Sequence, residues 1–413
     1  MKILHVATTL GPENGGAAVA CIELCAALVE RGHDVEIFTT AIDIPPDWPT
    51  QANQPFLYRG ITVHFFPVWR IGYYWISSKM FWALWRKVRA FDVIHIHSLY
   101  RFHLPITAWI CRWFARPYIV KPHGSLDPFL FKYRRWRKMP HEFLFDRPAY
   151  AHAAAIHYVA DEERLLAEST DFIRALNTSH FKAPSAVVVP EGVSIDSKID
   201  STDISDATAR LMQKFPEVQG KAIVLFLGRL NFKKGIDILV EAFATVKLAT
   251  PDAHLLFVGP DSEGYSAQIR KWLHEFGVAD QTTFTGMLLG AEKLAAFRLA
   301  RVFVLSSYTE NFGIAIVEAM TQNCPVVISN KVNIWREIQD ANAGLVTNCD
   351  AAQTAGAILR ILREPKLSAT LSENGARLAR EYFTWPAAAE KMEEVYRHVT
   401  QDNPKYPRLR RNG

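Results

Sequence analysis

The chain has 413 residues, of which 49% are hydrophobic and 22% are charged, and this is enough for two ordinary folded domains with full cores. Its formal charge of +5 is a mild bias toward anionic partners. The opening residues, MKILHVATTL, turn polar too early for a secretion signal and the apolar runs fall short of the roughly 20 residues that cross a bilayer, so we expect a cytoplasmic protein.

Strand-like and helix-like segments alternate through the first half of the chain. Seven short segments rich in β-branched residues end in polar or glycine-containing loops: KILHVATT, DVEIFTT, ITVHFFPV, DVIHIHS, PYIVKPHG, AAIHYVA and SAVVVPEGV. Helical stretches such as GAAVACIELCAALVERGH lie between several of them. This alternation predicts a parallel sheet covered by helices.

The second half repeats the pattern. Strands are predicted at KAIVLFLGRL, HLLFVGP, QTTFTGML, RVFVLSS and PVVISN, and helices at GIDILVEAFATVKLA, EKLAAFRLA and GIAIVEAM. The stretch 194–219 between the halves is rich in Ser, Asp, Thr and Lys, so we place the boundary near residue 205. We predict an α/β chain with doubly wound domains at 1–205 and 206–380. At 381–413 we expect a helix that packs back on the N-terminal domain, followed by a basic tail.

Metal-binding patterns are missing from the sequence. The cysteines show no CxxC pair, which predicts buried, reduced thiols at Cys21, Cys25, Cys111, Cys324 and Cys349. There is also no D-x-D run, and the nearest approach, DSEG, is typical of a loop after a strand. We therefore expect no metal and no other cofactor.

Three loops at predicted strand ends carry residues suited to an anionic ligand. Ligands of open α/β sheets bind beyond the carboxyl ends of the strands, where a helix N-terminus offers unpaired N–H groups. Gly15 and Gly16 would let the backbone approach such a ligand, although a plain tight turn explains them equally well. Arg229 and Lys234 follow a buried strand, where solvated cations are also common.

The third loop contains two carboxylates. In SSYTENFGIAIVEAM, residues 306–320, Glu310 lies in the loop and Glu318 follows eight residues later, inside the helix that is predicted to begin near Gly313. Each carboxylate alone could be a helix-entry residue favoured by the helix dipole.

Together these loops resemble the retaining glycosyltransferases of family 4, which have the GT-B fold: two Rossmann-like domains that face each other across a cleft. The resemblance covers nearly the whole chain and depends most on Arg229, Lys234 and the E-x7-E spacing of Glu310 and Glu318. Its other elements follow in order: the early glycine loop, DVIHIHS, KPHGSLDP, VVVPEGVSID, LGRLNFKKG, FTGMLL and FTWPAAAEKMEEVY.

The resemblance implies roles for individual residues. Arg229 and Lys234 would bind the diphosphate of a nucleotide sugar, Arg229 with a bidentate fork. Glu310 would contact the donor sugar and Glu318 the ribose hydroxyls. His123, in KPHGSLDP, would lie near the donor sugar, although a lone histidine is more often structural. The further donor-binding residues implied are Gly15, Gly16, Met287, Leu288, Asn311, Phe312, Gly313 and Ile314.

The acceptor is less well defined by the sequence. Stretches 69–89 and 132–138 interleave basic and aromatic residues in the half that binds the acceptor in this family. The pattern suits a membrane surface or a lipid-diphosphate acceptor, and equally a solvated face with a packing stripe. His97, which shares a strand face with His95, either lines the acceptor pocket or packs in the core. The candidate acceptor or membrane residues are His97, Lys132, Arg134, Arg135, Arg137 and Lys138.

We predict a retaining glycosyltransferase that moves a hexose from a UDP- or GDP-sugar to a glycan or lipid-linked acceptor in cell-surface polysaccharide biosynthesis. Its location would be cytoplasmic, including the inner face of the membrane. A nucleotide-sugar epimerase of the same fold and an inactive nucleotide-sugar-binding module stay open as alternatives. A Rossmann dehydrogenase is disfavoured because the first loop lacks GxGxxG, and nucleic acid is disfavoured because no recognition motif accompanies the charge.

Overall fold

A computed structural model of the chain describes residues 1–11, 16–42, 44, 48, 54–71, 74–129, 135–177, 184–194 and 199–401. The chain forms two compact units. The first comprises Met1–Gly192 together with the segment that starts at Trp385, and the second comprises Val193–Thr384.

The first unit is built on a mostly parallel sheet. Its strands are β1 (Lys2–Val6), β2 (Asp34–Thr40), β3 (Phe56–Tyr58), β4 (Ile61–Phe66), β5 (Trp69–Ile71), β6 (Tyr74–Ile76), β7 (Val93–His97), β8 (Tyr118–Lys121), β9 (Ala155–Tyr158) and β10 (Ser185–Val188). Among the described residues, eight of them form a sheet in the order β10-β9-β8-β7-β1-β2-β4-β3, in which β3 is antiparallel to β4. Strands β5 and β6 form a separate ribbon.

Helices connect these strands. They are α1 (Gly16–Glu30), α2 (Ser78–Lys87), α3 (His103–Trp113), α4 (Arg135–His141), α5 (Arg147–Ala151), α6 (Asp161–Glu168) and α7 (Asp171–Arg174). A π-helical turn at Glu142–Asp146 joins α4 to α5.

The second unit has a fully parallel sheet. Its strands are β11 (Ala222–Leu227), β12 (Ala253–Val258), β13 (Thr282–Gly286), β14 (Ala300–Leu305), β15 (Val326–Ser329) and β16 (Gly344–Thr347), in the order β13-β12-β11-β14-β15-β16. Its helices are α8 (Ser201–Lys214), α9 (Ile236–Ala249), α10 (Ser266–Glu275), α11 (Gly290–Leu299), α12 (Ile314–Thr321), α13 (Trp335–Asp340), α14 (Ala351–Arg363) and α15 (Pro365–Glu381). The predicted α/β fold with two doubly wound parallel sheets is confirmed.

The central strands of both sheets are almost unbroken apolar runs because helices cover both of their faces. Strand β12, AHLLFV, is buried at all of its positions, and so is β7, VIHIH. The polar exceptions in β7 are His95 and His97, and they lie side by side with ring centroids 4.8 Å apart. Buried imidazoles require hydrogen-bond partners, and these two are part of a larger group described below.

The stretch predicted as a linker contains helix α8, so the boundary lies after Gly192 and not near residue 205. Asp200 and Asp203 form a reciprocal capping box at the start of this helix. Ile204 and Ala207 are buried against Ala295 of α11, which ties α8 to the second unit.

The last helix, α16 (Trp385–Gln401), belongs to the first unit and packs along α1. Trp385, Met392 and Tyr396 are buried there in the same apolar cluster as Leu24 of α1. The Nε of Arg31 lies 2.7 Å from Oε2 of Glu393, which adds an ion pair to the contact. The basic tail after Asn403 lies outside the described residues.

Candidate active site

The candidate site of the second unit lies where the strand order reverses. From β11 the chain proceeds through β12 and β13 on one side, and then through β14, β15 and β16 on the other side. The loops after β11 and β14 therefore leave the same edge of the sheet in opposite directions and open a crevice, the usual ligand position in such sheets. These are the loops that carry Arg229, Lys234 and Glu310.

The loop after β11 is fixed against the loop after β14 by Gly235. This glycine has a φ of +59°, and a Cβ on it would lie 2.0 Å from the carbonyl oxygen of Ser306. The hydroxyl of Ser306 donates to the carbonyl of Gly235 at 2.6 Å, and the N–H of Tyr308 donates to the carbonyl of Lys233 at 2.8 Å. Only a residue without a side chain allows this approach.

Lys234 and Glu310 form an ion pair between the two loops. Their side chains are 22% and 17% exposed, so both groups are held in place and still reachable. The backbone of Glu310 is fixed as well, because its N–H donates to Lys331 and its carbonyl accepts from Asn333, both at 3.0 Å. The two residues predicted to bind the diphosphate and the sugar are therefore brought together by the fold.

Helix α12 begins beside this pair. Gly313 is its N-cap residue with a φ of +78°, and a Cβ there would meet Ile316 Cδ1 at 2.6 Å and Glu310 Cγ at 3.3 Å. The first N–H groups of a helix lack intrahelical partners and carry a partial positive charge. Phe312 anchors the turn, because its buried ring packs edge-to-face on Phe383 with centroids 5.4 Å apart.

Arg229 is exposed at the end of β11, and no hydrogen bond or ion pair joins it to another described residue. Its guanidinium is thus available to an anion. Tyr308, in the opposite loop, donates its hydroxyl to Asp237 of α9 at 2.7 Å, and burial together with this hydrogen bond raises the pKa of Tyr308. The phenol therefore stays neutral and serves as a tie between the loop and α9.

Glu318 lies in α12 and pairs with Lys293 of α11, whose Nζ is 2.7 Å from Oε1. No motif predicts a role for Lys293, because it lies on a helix outside the segments that carry the family resemblance. The pair holds the Glu318 carboxylate at a fixed position while leaving it 19% exposed.

The remaining predicted donor residues are placed as follows. Met287 is 60% exposed after β13, whereas Leu288 is buried. Asn311 accepts a hydrogen bond from Asn333 at 3.2 Å. Gly16 is exposed at the start of α1, and Gly15 lies outside the described residues.

Comparison with known proteins identifies the family. Residues 208–378 match the model of glycosyl transferases group 1, and residues 15–178 match that of the glycosyl transferase 4-like domain. The chain belongs to the group 1 glycosyltransferases of family 4. The phosphatidyl-myo-inositol mannosyltransferase of Mycobacterium leprae (strain TN) is 28% identical to this glycosyltransferase, over 95% of each chain.

Two solved structures are similar to this glycosyltransferase in fold. Sucrose-phosphate synthase from Thermosynechococcus elongatus has a TM-score of 0.72 and 23% identity, and the alignment covers 97% of this chain and 99% of that one. HepE of Anabaena in complex with UDP and glucose has a TM-score of 0.71 and 21% identity, with 96% and 99% covered. The predicted GT-B fold and the glycosyltransferase class of enzyme are confirmed.

The first unit of the glycosyltransferase carries His123 in the turn that follows β8. Its backbone has a φ of +51°, in the left-handed region that costs a non-glycine residue about 1–3 kcal/mol and often marks a functional site. The next residue is held in place, since the N–H of Gly124 donates to Glu163 at 2.7 Å. Glu163 also accepts from the N–H of Val159, and burial raises the pKa of Glu163 to about 7.

The predicted acceptor residues differ in their placement. His97 is buried and both of its ring nitrogens have hydrogen-bond partners, so it does not line an open pocket. Lys138 places its Nζ 5.2 Å from the ring centroid of Tyr100. The backbone of Arg135 and Arg137 is in α4. Lys132 and Arg134 lie outside the described residues.

A large apolar cavity opens beside α3 and the π-helical turn. Its volume is about 720 Å³, and its walls include Phe102, Ile106, Trp109, Leu144 and Phe145. Trp109, Leu144 and Phe145 are 47%, 60% and 47% exposed. Within the described residues, no helix is both long enough and apolar enough to cross a membrane.

Proposed function

We propose that this glycosyltransferase moves a hexose from a UDP- or GDP-sugar to a lipid-linked glycan acceptor, with retention of configuration, in the synthesis of a cell-surface polysaccharide. The observation that carries the proposal is the Lys234–Glu310 pair beside the start of α12, with the exposed Arg229 in the same loop as Lys234. These residues combine positive charge with a carboxylate that can accept hydrogen bonds from hydroxyl groups.

The chemistry of the donor fits these residues. Negative charge grows on the diphosphate as the sugar leaves, so cations aimed at the leaving group stabilise the transition state more than the bound substrate. Arg229 would grip the phosphates with its fork and Lys234 would add a point charge. The N-terminus of α12 would supply backbone N–H groups to the same phosphates. With these cations in place, we propose that the donor site needs no metal.

The two carboxylates would recognise the two sugar rings. Glu310 would accept from hydroxyls of the transferred sugar, and Lys234 holds it in place for this role. Glu318, oriented by Lys293, would accept from the ribose hydroxyls. HepE in complex with UDP and glucose supports a uridine nucleotide as the first donor to test.

The apolar cavity supports a lipid-linked acceptor. At about 720 Å³ it falls in the range of ligand sites, about 300–1,000 Å³. Arg112 is part of its wall, and Lys138 lies in the same helix as the wall residues Pro140 and His141. A ligand with a hydrocarbon chain and an anionic head would match both the apolar wall and these cations. The relative from Mycobacterium leprae is named for transfer to phosphatidyl-myo-inositol, an acceptor of this chemical kind.

Nucleotide binding tests the part of the proposal that concerns the sugar donor. We expect UDP or GDP to stabilise the wild-type protein in a metal-free thermal-shift assay by about 2.7 kcal/mol at 100 times its Kd. Arg229→Gln should reduce turnover about 10²–10³-fold, by analogy with the loss of an oxyanion donor, while stability stays within about 0.5 kcal/mol. The matched control is Arg301→Gln, an exposed arginine near the amino end of β14. Equal effects of the two substitutions would refute the donor site.

Sugar transfer to a lipid-linked saccharide tests the part of the proposal that concerns the acceptor. Radiolabelled sugar transfer to a polyprenyl-diphosphate-linked saccharide is compared between wild type, Leu144→Asp in the cavity and Leu248→Asp on α9, where the side chain is 87% exposed. We expect only Leu144→Asp to raise the KM for the lipid acceptor, with transfer to a water-soluble analogue unchanged. Loss of both activities, or of neither, would contradict a lipid site in this cavity.

A further inference from the structure

A buried row of imidazole rings crosses the first unit at the carboxyl half of its central strands. The rings belong to strand β9, to β7, to β1 and to the residue just beyond β8, and one tyrosine of α16 joins them. Its members, in order of contact, are His157, His95, Tyr396, His5, His97 and His123.

The direction of the hydrogen bonds is set at one end by a backbone carbonyl. The Nε2 of His157 lies 2.9 Å from the carbonyl oxygen of Val189, which can only accept, so this nitrogen carries a hydrogen. In a neutral ring Nδ1 of His157 is then an acceptor, and Nε2 of His95, 3.3 Å away, must donate to it. The Nδ1 of His95 in turn accepts from the hydroxyl of Tyr396 at 2.8 Å.

The same argument continues on the other side of the tyrosine. Its hydroxyl has given its hydrogen to His95, so it accepts from Nε2 of His5 at 3.3 Å. The Nδ1 of His5 accepts from Nε2 of His97 at 2.9 Å, and Nδ1 of His97 accepts from Nε2 of His123 at 2.9 Å. Each neutral ring therefore carries its hydrogen on Nε2.

We propose that this row of hydrogen bonds positions His123 by fixing it as the Nε2–H tautomer, with the lone pair of Nδ1 directed away from the row and free to accept a hydrogen bond from a sugar hydroxyl. Tyr396 and the four other histidines are positioning residues in this scheme. The role toward a sugar depends on the proposed function, whereas the tautomer does not.

Burial favours the neutral form of four of the five rings, as the argument requires. It lowers the pKa of His5, His95, His123 and His157, and nearby positive charge from Lys121 acts in the same direction on all four. Glu191, whose Oε1 is 4.0 Å from Nδ1 of His123, is already paired with Lys121 at 3.0 Å. Its negative charge is therefore compensated without a proton on His123.

A metal ion is the first competing interpretation. The Nδ1 of His5, the Sγ of Cys21 and the Nε2 of His97 lie within 4.8 Å of one another. A tetrahedral metal with nitrogen ligands at about 2.0–2.1 Å would place the two nitrogens about 3.3 Å apart, with no hydrogen between them. Their separation of 2.9 Å is that of a hydrogen bond, which favours the proton.

A buried ion pair is the second competing interpretation. The Sγ of Cys21 is 3.7 Å from Nε2 of His97. If Cys21 were a thiolate and His97 carried two hydrogens, both nitrogens of His97 would donate, and His123 would be forced into the Nδ1–H form. Separating charge inside a fully buried cluster is costly, so we expect the neutral arrangement.

Nitrogen NMR of the full chain labelled with ring-¹⁵N histidine tests the proposal directly. Long-range ¹H–¹⁵N spectra distinguish protonated from unprotonated ring nitrogens, and substitution of single histidines assigns the signals. For the wild type at pH 7.5 we expect His123 to be a single Nε2–H species. A Nδ1–H or doubly protonated His123, or stoichiometric zinc in the purified protein, would overturn the proposal.

Tyr396→Phe breaks the row three hydrogen bonds away from His123 with little change of shape. His5 then loses the acceptor for its Nε2–H, so its hydrogen can move to Nδ1. His5 would then donate to His97 and His97 to His123, which puts the hydrogen of His123 on Nδ1. We expect the single species of His123 to become a mixture of both tautomers. Tyr118→Phe is the matched control, because this buried hydroxyl donates to the carbonyl of Ala149, outside the row. An unchanged His123 spectrum in Tyr396→Phe would show that the row has no positioning role.

Two further readouts separate this inference from the proposed function. Cys21→Ala should leave the tautomer of His123 unchanged. If His123 takes the Nε2–H form only in this variant, then the wild type has the ion-pair arrangement and the proposal is overturned.

A transfer assay gives the second readout. The kcat/KM of Tyr396→Phe should fall in proportion to the fraction of His123 left in the Nε2–H form, about twofold for an equal mixture. If the tautomer of His123 is reversed and kcat/KM is unchanged, then the row does not position His123 for sugar transfer.

Discussion

The buried histidines make a strong prediction about acid stability. Burial lowers the pKa of His5, His95, His123 and His157, and it lowers the pKa of His103 to about 4. Unfolded histidine has a pKa near 6.5, so below that pH the unfolded chain binds protons that the folded chain excludes. The stability from these groups is complete above pH 6.5 and is lost as the pH falls toward the folded pKa values.

His103 sets the scale of the loss. The fall of its pKa from 6.5 to about 4 is worth about 3.4 kcal/mol of stability. Two buried acids oppose the loss, because burial raises the pKa of Glu163 to about 7 and raises that of Asp146, so both bind protons more readily in the folded state. His5, His95, His123 and His157 act in the same direction as His103, so we expect the histidines together to outweigh the two acids and the free energy of unfolding to fall between roughly pH 6.5 and 5.

Urea unfolding followed by tryptophan fluorescence at pH 7.5, 6.5 and 5.5 measures this loss. Only Trp272 and Trp335 of the eleven tryptophans belong to the second unit, so the signal reports mainly on the first. We expect the midpoint to change little from pH 7.5 to 6.5 and to fall steeply by pH 5.5. A midpoint that is unchanged or higher at pH 5.5 would show that the histidine cluster is hydrated or charged in the folded protein.

Three further predictions concern the second unit. Gly235→Ala should lower the free energy of unfolding by several kcal/mol more than Gly277→Ala. Both glycines have positive φ, but of the two only Gly235 closely approaches another backbone segment. Equal chemical denaturation midpoints for the two variants would refute this. Lys293→Met should raise the KM for the nucleotide sugar up to about fivefold with kcat unchanged, since a partly exposed pair with Glu318 is worth at most about 1 kcal/mol; a fall in kcat alone would contradict the ribose role. Glu310→Gln should keep the melting temperature and lower transfer about 10²-fold, and unaltered turnover would exclude this carboxylate from the site.

Most of the fold could be predicted because its signals are local. The second-unit strands, such as Ala222–Leu227 and Val326–Ser329, are short apolar runs, and the helices between them are longer and end in polar loops. Helix Ser201–Lys214 was missed because its composition is polar. Its buried positions, Ile204, Ala207 and Leu211, do follow helical spacing, and Asp200 with Asp203 gives a capping signature, so periodicity was the better guide than composition.

Some contacts of the candidate site could be predicted from the sequence and others could not. Lys234 and Glu310 lie in loops that a doubly wound order brings to one edge, so motif and topology together were enough to predict that these two residues are close. The contact of Lys293 with Glu318 depends on how α11 packs beside α12, and no motif encodes it. The histidine row depends on strand register, in which His5 pairs with His95, and on a tyrosine 391 residues from His5 in the chain.

The two units hold their polar groups by different physical means. In the second unit, backbone hydrogen bonds and the close approach at Gly235 fix the loops, and the charged ends of Lys234 and Glu310 stay partly exposed. Charges held this way would meet the proposed diphosphate without rearrangement, which is the condition for electrostatic stabilisation of a transition state. In the first unit the histidine row proposed to position His123 is buried, and its neutral rings would transmit orientation instead of charge. A buried row can do this only while every ring stays neutral, and acid stability and the tautomer of His123 therefore depend on the same protons.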